Sequence, residues 1–262
     1  MKRTTGVILP ALVALVLLAV GSTGFGQEPE VVEMEGQKAE VTLIEGSAEL
    51  SRKETDLKQP LSRGNILVHG DRVATGEQAR LELAMPDGSF LRFAQKTTFE
   101  LISVDYDEQT KQRDIMVHAA LGKTWAKVSN LVGGGGRFQV SAQNAVAGIR
   151  GTTYRMNVNS DASVVVKVYE GAVHVSSPPE TAEKPGDVSK PGGVESPHPV
   201  SGPHPVTGPR PVTMQEWTYI VRAMQQIVVY PDGTVSKPFR FDPEVDMDDW
   251  VRWNQNRDKM QP

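Results

Sequence analysis

The chain has 262 residues, no cysteine and a formal net charge of −4. That length suits one large domain, or a domain with an appendage, and the lack of cysteine excludes a disulfide framework and lipid attachment through an N-terminal cysteine. A mildly acidic chain with scattered basic clusters also argues against nucleic acid as a partner, because neutralising phosphate needs a basic surface.

Lys2 and Arg3 precede an apolar run from Val7 to Val20, and Gly24 and Gly26 supply small residues where a signal peptidase cuts. These fourteen residues, interrupted by Pro10, fall short of the ~20 that span a bilayer. The pattern predicts a signal peptide over residues 1–26, cleaved after Gly26, and a periplasmic or secreted protein. The alternative is an uncleaved anchor, which would make the leader the only membrane contact. Loss of Lys2 and Arg3 with the leader takes the net charge from −4 to −6.

Residues 27–38 are acidic and weakly patterned, a flexible lead-in. A β domain is expected over residues 39–176. Val41 and Leu43, then Ala48 and Leu50, flank Glu45-Gly46, where glycine permits a hairpin turn. Arg80 to Met85 alternates polar and apolar side chains, and Pro86-Asp87-Gly88 turns the chain so that Ser89 to Phe93 returns antiparallel. Thr98–Val104 and Ile115–Val117 read as strands around a solvated excursion at Asp105–Glu108. Leu121-Gly122-Lys123 repeats the strand-glycine-strand pattern of Gly46 and Gly171, and four glycines at 133–136 read as a loop. Tyr154, Met156 and Val158 share one face of a strand, Thr153, Arg155 and Asn157 the other, and Val164, Val166 and Val168 resume the alternation after Asn159-Ser160-Asp161. The fold class expected is mainly β, a β-solenoid-like or barrel-like β-sandwich that winds through similar glycine corners.

Ten of the eighteen prolines lie between Pro178 and Pro211. Pro197-His198-Pro199-Val200 recurs as Pro203-His204-Pro205-Val206 and Pro209-Arg210-Pro211-Val212, so residues 177–212 read as a semi-rigid polyproline linker. A small α+β appendage of helix, hairpin and helix is expected over 213–262. Thr213 and Glu216 have capping-box spacing, and Met214, Trp217, Ile220 or Val221, Met224 and Ile227 recur at helical intervals, which predicts a helix from Met214 to Gln226. A turn at Tyr230-Pro231-Asp232-Gly233-Thr234 and a short helix bearing Trp250 and Trp253 follow.

No catalytic constellation is legible. Ser89 sits in a hairpin turn, and the five histidines (His69, His118, His174, His198 and His204) lack metal-ligand spacing. No cofactor and no metal are expected. Arg150, between Gly148 and Gly151, is the charged residue that stands out: inside a β core it needs a carboxylate, with Glu170 or Asp87 the candidates for a structural clamp, or else it meets a partner. Binding residues expected are Arg150, Gly151, Thr152 and Trp125, the last with Trp217, Trp250 and Trp253 as an alternative sugar-stacking platform.

The run Ile149-Arg150-Gly151-Thr152-Thr153-Tyr154, with Phe138-Gln139-Val140 upstream and Glu170-Gly171-Ala172-Val173 downstream, resembles the FecR domain. Gly70-Asp71-Arg72-Val73-Ala74-Thr75-Gly76, Pro86-Asp87-Gly88-Ser89 and Leu121-Gly122-Lys123 extend the resemblance in order. It implies an extracytoplasmic β domain of iron-citrate-type signalling regulators, which passes a signal from an outer-membrane transporter to a cytoplasmic anti-sigma segment. Only six residues precede the apolar run, so no such segment is expected here. What carries over is a non-enzymatic interaction or sensing module of the cell envelope with a protein partner; the alternative is a polysaccharide-binding or structural scaffold protein with a glycan partner.

Overall fold

Alternation of apolar and polar residues governs the strands, and in the computed structural model it builds two sheets around one core. The structure describes residues 38–53, 57–179 and 217–261. The expected leader, lead-in up to residue 37, linker from 180 onward and capping residues Thr213 and Glu216 lie outside the described residues.

Strands are numbered β1 to β17 along the chain. Sheet I runs in the order β4 (Ile66–Leu67), β1 (Ala39–Glu45), β6 (Arg80–Ala84), β7 (Phe90–Phe93), the second part of β9 (Gln112–Lys127), β12 (Thr153–Val158), β13 (Val164–Glu170), β16 (Gln225–Val229) and β17 (Phe239–Arg240). Sheet II runs β3 (Lys58–Pro60), β2 (Ala48–Ser51), β5 (Arg72–Thr75), β8 (Thr98–Asp107), the first part of β9, β10 (Gly135–Ser141), β11 (Val146–Ile149), β14 (Ala172–Ser176) and β15 (Thr218–Arg222). All these pairings are antiparallel except β9 with β10. The protein is mainly β, as expected, and pairing of this kind makes it a sandwich.

Leu81, Leu83, Leu91 and Phe93 of sheet I pack in one buried cluster with Leu50, Val73, Phe99 and Leu101 of sheet II. Phe93 stacks on Phe99 across the layers at 3.6 Å between ring centroids. Burying side chains of this size stabilises the fold by about 1.5–3 kcal/mol each. The hairpin expected around Asp87-Gly88 is β6 with β7, in the register Leu81↔Phe93 and Leu83↔Leu91.

Glycine corners carry the chain between layers. Glu45-Gly46 does not close a hairpin: β1 pairs with β4 and β6 while β2 pairs with β3 and β5, so the chain crosses from sheet I to sheet II there. Gly171 makes the same crossing. At φ +78 its missing Cβ would stand 2.7 Å from the carbonyl oxygen of Gly151 and 2.8 Å from Thr152 Oγ1, so no other residue fits without displacing that corner. Gly122 bends β9 itself. A Cβ there would lie 2.6 Å from Thr97 Cα, and the bend lets one strand belong to both sheets.

Three further expectations are corrected. Of the four glycines read as a loop, Gly135 and Gly136 open β10 and pair with Gln112 and Arg113. The excursion at Asp105–Glu108 is mostly strand, since β8 continues to Asp107 and pairs with Gln112 before the turn. The helix expected up to Gln226 is, in its described part, the strands β15 and β16 around a turn at Ala223-Met224. Trp217, Tyr219 and Val221 point inward with period two while Ile220 is exposed. Pairing with β14 and β13 satisfies the backbone of this segment, and Met224 takes the left-handed φ of +63 that the crossing requires. The short helix expected near the C-terminus is α1 (Asp249–Lys259).

Candidate functional site

Side chains on the outer face of sheet I are unusual for a solvent-facing layer. Cross-strand register places Glu82, Arg92, Trp125, Arg155 and Lys167 in one row over five strands. Helix α1 and the turn before it lie on this row. Asp248 caps the helix, its Oδ1 accepting from Val251 N at 2.8 Å, with Asp249 in the first turn and Arg257 and Lys259 in the last, as the helix dipole favours.

Arg92 and Glu82 are both fully buried beneath α1. Arg92 donates through Nε to Glu82 at 2.7 Å, through Nη1 to Asp258 at 2.6 Å and through Nη2 to Gln261 at 2.5 Å. Glu82 also accepts from Thr42 Oγ1 at 2.8 Å, Arg257 Nη2 at 2.5 Å and Gln261 Nε2 at 2.9 Å. Burial opposes the charge on Glu82, but the hydrogen bonds from Arg257, Arg92 and Thr42 outweigh it and hold the carboxyl below its ordinary range. Trp125 closes this knot by donating its indole N–H to Asp258 at 3.0 Å.

A second knot centres on Asp246, which accepts from Arg155 Nη2, from Lys167 Nζ at 2.6 Å and from the Tyr169 hydroxyl at 2.6 Å. Burial, more than its neighbours, pushes the Tyr169 phenol well above its usual range, so it stays a donor. Trp125, Tyr169 and Phe241 form an aromatic chain with centroid separations of 4.6 and 5.5 Å. Here satisfaction is incomplete. Arg155 Nε, Asn157 Oδ1 and Trp250 Nε1 are buried without a hydrogen-bond partner, each at a cost of about 1–3 kcal/mol.

Beside the first turn of α1 a groove of about 530 Å³ opens between Gln78–Arg80, Ala94–Lys96, Gly122–Lys123, Val158–Ser160 and Asp249–Trp250. Gln78 and Lys96 hold left-handed backbone at φ +55 and +53, a conformation that costs a side-chain-bearing residue roughly 1–2 kcal/mol. Lys96 pairs with Glu77, Arg80 with Glu45, and Lys123 with Asp248, all at or near the surface.

The residues singled out from sequence fall in two places. Arg150 is exposed at the corner between β11 and β12, and its side chain has no partner among the described residues, so the clamp to Glu170 or Asp87 does not exist. Asp87 instead takes Arg113 at 2.6 Å, and Glu170 accepts from Thr153 Oγ1 at 3.3 Å. Gly151 makes the corner at φ +59, and Thr152 Oγ1 sits 3.1 Å from the carbonyl of Arg150 and 2.9 Å from that of Ala172. Gly151 and Thr152 thus shape the corner that presents Arg150. Trp125 is remote from it and buried. The four tryptophans share no platform: Trp250 stacks on Trp253 at 5.4 Å, while Trp217 packs near Tyr219. Ser89 is buried, its hydroxyl donating to Asp87 at 2.8 Å within a knot with Ser129 and Arg113. Among the described residues no three histidine, aspartate or glutamate side chains gather as a metal site.

Sequence reasoning missed Glu82, Arg92, Arg155 and Lys167. The signal was present. Each is a charge on the outward register of a strand whose neighbours are apolar, and together with Trp125 they form a face too costly to leave bare.

Residues 71–174, from the start of β5 into β14, match the family model described as FecR protein. Two crystal structures of a candidate anti-sigma factor from Parabacteroides distasonis ATCC 8503 align with a TM-score of 0.42, at 14% and 15% identity, over 65% of this chain. The aligned part is 60% of the length of those chains. No curated protein is a significant match.

Proposed function

We propose that this chain, which carries a FecR domain, is an extracytoplasmic signalling module that acts by binding a protein partner in the cell envelope and performs no turnover. The match of residues 71–174 to the FecR model carries the reading, since it takes in strands of both sheets, β5 to β13 and part of β14, and the exposed corner at Arg150. Arg150 supports recognition over a structural role. An exposed guanidinium offers five donors in a fixed fork, and the tight packing of Gly151, Thr152 and Gly171 holds its backbone in place without using its charge. The leader-like residues 1–26 supply the export half of the proposal.

A photo-crosslinking residue at position 130, an exposed asparagine that stands against the Gly151 corner and leaves Arg150 in place, tests the partner. Incubation with envelope proteins is expected to give one saturable adduct that unlabelled wild-type chain competes away and Arg150→Met competes poorly at unchanged melting temperature. Equal competition by Arg150→Met, or no saturable adduct, overturns the reading. Fractionation tests location: mature protein beginning at Gln27 in the periplasm or medium is expected, and full-length chain in the cytoplasm refutes export.

A further inference from the structure

The outer face of sheet II ends in a row of arginines. Arg137 of β10 stands two residues before Gln139, which is registered with Gly148, and Arg150 lies two residues beyond Gly148. Ala172, two residues before His174, is registered with Arg222 of β15. Carried one residue past Ile149↔Val173, the register therefore runs Arg137, Arg150, Ala172, Arg222 over four neighbouring strands. All three arginines are exposed. Arg150 and Arg222 have no side-chain partner among the described residues, and Arg137 holds Asp114 in an exposed pair.

β10, β11, β14 and β15 contain no aspartate or glutamate, although acids outnumber Lys and Arg in the chain by 32 to 28. Glu170, beside the corner, belongs to sheet I and accepts from Thr153 Oγ1 at 3.3 Å. This end of the face is thus positive on an acidic chain. Gly148 lies on the same face, between Gln139 and His174, and the fold gives no reason for a glycine there. Its φ is outside the left-handed region, its register is unbroken, and an added Cβ would meet nothing nearer than the carbonyl oxygen of His174 at 3.8 Å. A glycine weakens a strand, and where neither bulge nor crowding asks for one it marks the close approach of another chain.

We infer that this arginine row is where the partner docks, through an extended acidic segment whose carboxylates take Arg150 and Arg222 and whose backbone passes over Gly148. The inference rests on the partner reading at Arg150 and adds the partner's chemistry. All three cations are arginine, whose planar fork matches the two oxygens of a carboxylate. An extended chain turns every second side chain the same way, about 7 Å apart, and adjacent strands lie about 4.8 Å apart. Carboxylates two residues apart therefore suit guanidiniums two strands apart. Three cations are few for a phosphate backbone or an anionic bilayer, whose polybasic ligands carry about four to eight.

Titration of the full mature chain, followed by backbone amide and arginine Nε–H signals, tests it. The probes are a peptide of alternating glutamate and serine, its glutamine–serine twin, phosphatidylglycerol vesicles and duplex DNA. The glutamate peptide is expected to give saturable shifts at Gly148, Arg150, His174 and Arg222 that weaken as salt rises, and the twin none. Arg150→Gln and Arg222→Gln are each expected to weaken binding about two- to fivefold, and Arg63→Gln, on an exposed turn elsewhere, to leave it unchanged. Gly148→Ala is expected to weaken it at an unchanged or raised melting temperature, because alanine fits the fold but fills the floor beside the row. Absence of saturable shifts, equal binding of the twin, preference for vesicles or DNA, or indifference to Arg222→Gln overturns the inference. In the crosslinking assay, Arg222→Glu that competes as well as wild type overturns it and leaves the partner reading standing, whereas loss of the adduct itself overturns both.

Discussion

Sheets I and II both turn every second side chain away from a shared core, yet their outer faces end in opposite states. On sheet I the outward row is Glu82, Arg92, Trp125, Arg155 and Lys167, and it is roofed by α1. On sheet II the corresponding row across five strands is Met116, Gln139, Gly148, His174 and Ile220, partly or fully exposed. Small or singly polar side chains are content with water. A row of paired charges around a tryptophan gains its hydrogen bonds and burial only when another segment supplies carboxylates and an apolar face, and Asp246, Asp258, Trp250 and Val251 supply them.

The comparison breaks most visibly at Arg92. Arg92→Met takes from Glu82 and Asp258 the one fully buried cation they share, while Thr42, Arg257 and Gln261 still bond to Glu82 and Trp125 to Asp258, and is expected to cost about 3 kcal/mol in denaturant unfolding, the lower end of what breaking a buried pair costs. Trp250→Ala is next. It empties the small apolar contact under the helix and is expected to cost about 3 kcal/mol, read as a lowered midpoint with early loss of tryptophan fluorescence polarisation.

Acid separates the faces by another route. The Glu82 and Asp248 carboxyls are held below their ordinary values in the folded chain, so the unfolded chain takes up protons first as pH falls. Their contribution is complete above about pH 4.5 and is lost as pH falls toward their folded values, which thermal melts between neutrality and pH 3 would follow. Asp114, held low by its bond to Arg137 on sheet II, shifts stability in the same direction. That pair is exposed, so added salt is expected to erase its part of the acid dependence and spare that of Glu82. The smallest effect is expected from His174→Gln, within about 0.5 kcal/mol, since the side chain faces water.

Much of the fold was legible because the signals were local. Pro86-Asp87-Gly88 dictates its own turn, and the inward set of Tyr154, Met156, Val158, Val164, Val166 and Val168 is read by counting every second residue. The three glycine corners were visible as a repeated pattern, although nothing local showed that Gly46 changes sheets. Residues 217–226 were misread because Trp217, Val221, Met224 and Ile227 fit a helical period as well as two short strands, and the deciding partners, β14 and β13, lie some fifty residues away. The site was less legible for the same reason. Arg150 drew attention through its flanking glycines, while Arg92 finds Asp258 across 166 residues, a pairing that no spacing rule reaches.

β9 is hydrogen-bonded to β8 and β10 through its first part and to β7 and β12 through its second. A strand shared in this way is the keel of both layers. Its amide protons can trade for deuterium only when the two sheets come apart together, so the slowest-exchanging positions of the molecule should run along Ile115 to Ala119 and resume at Trp125 and Ala126.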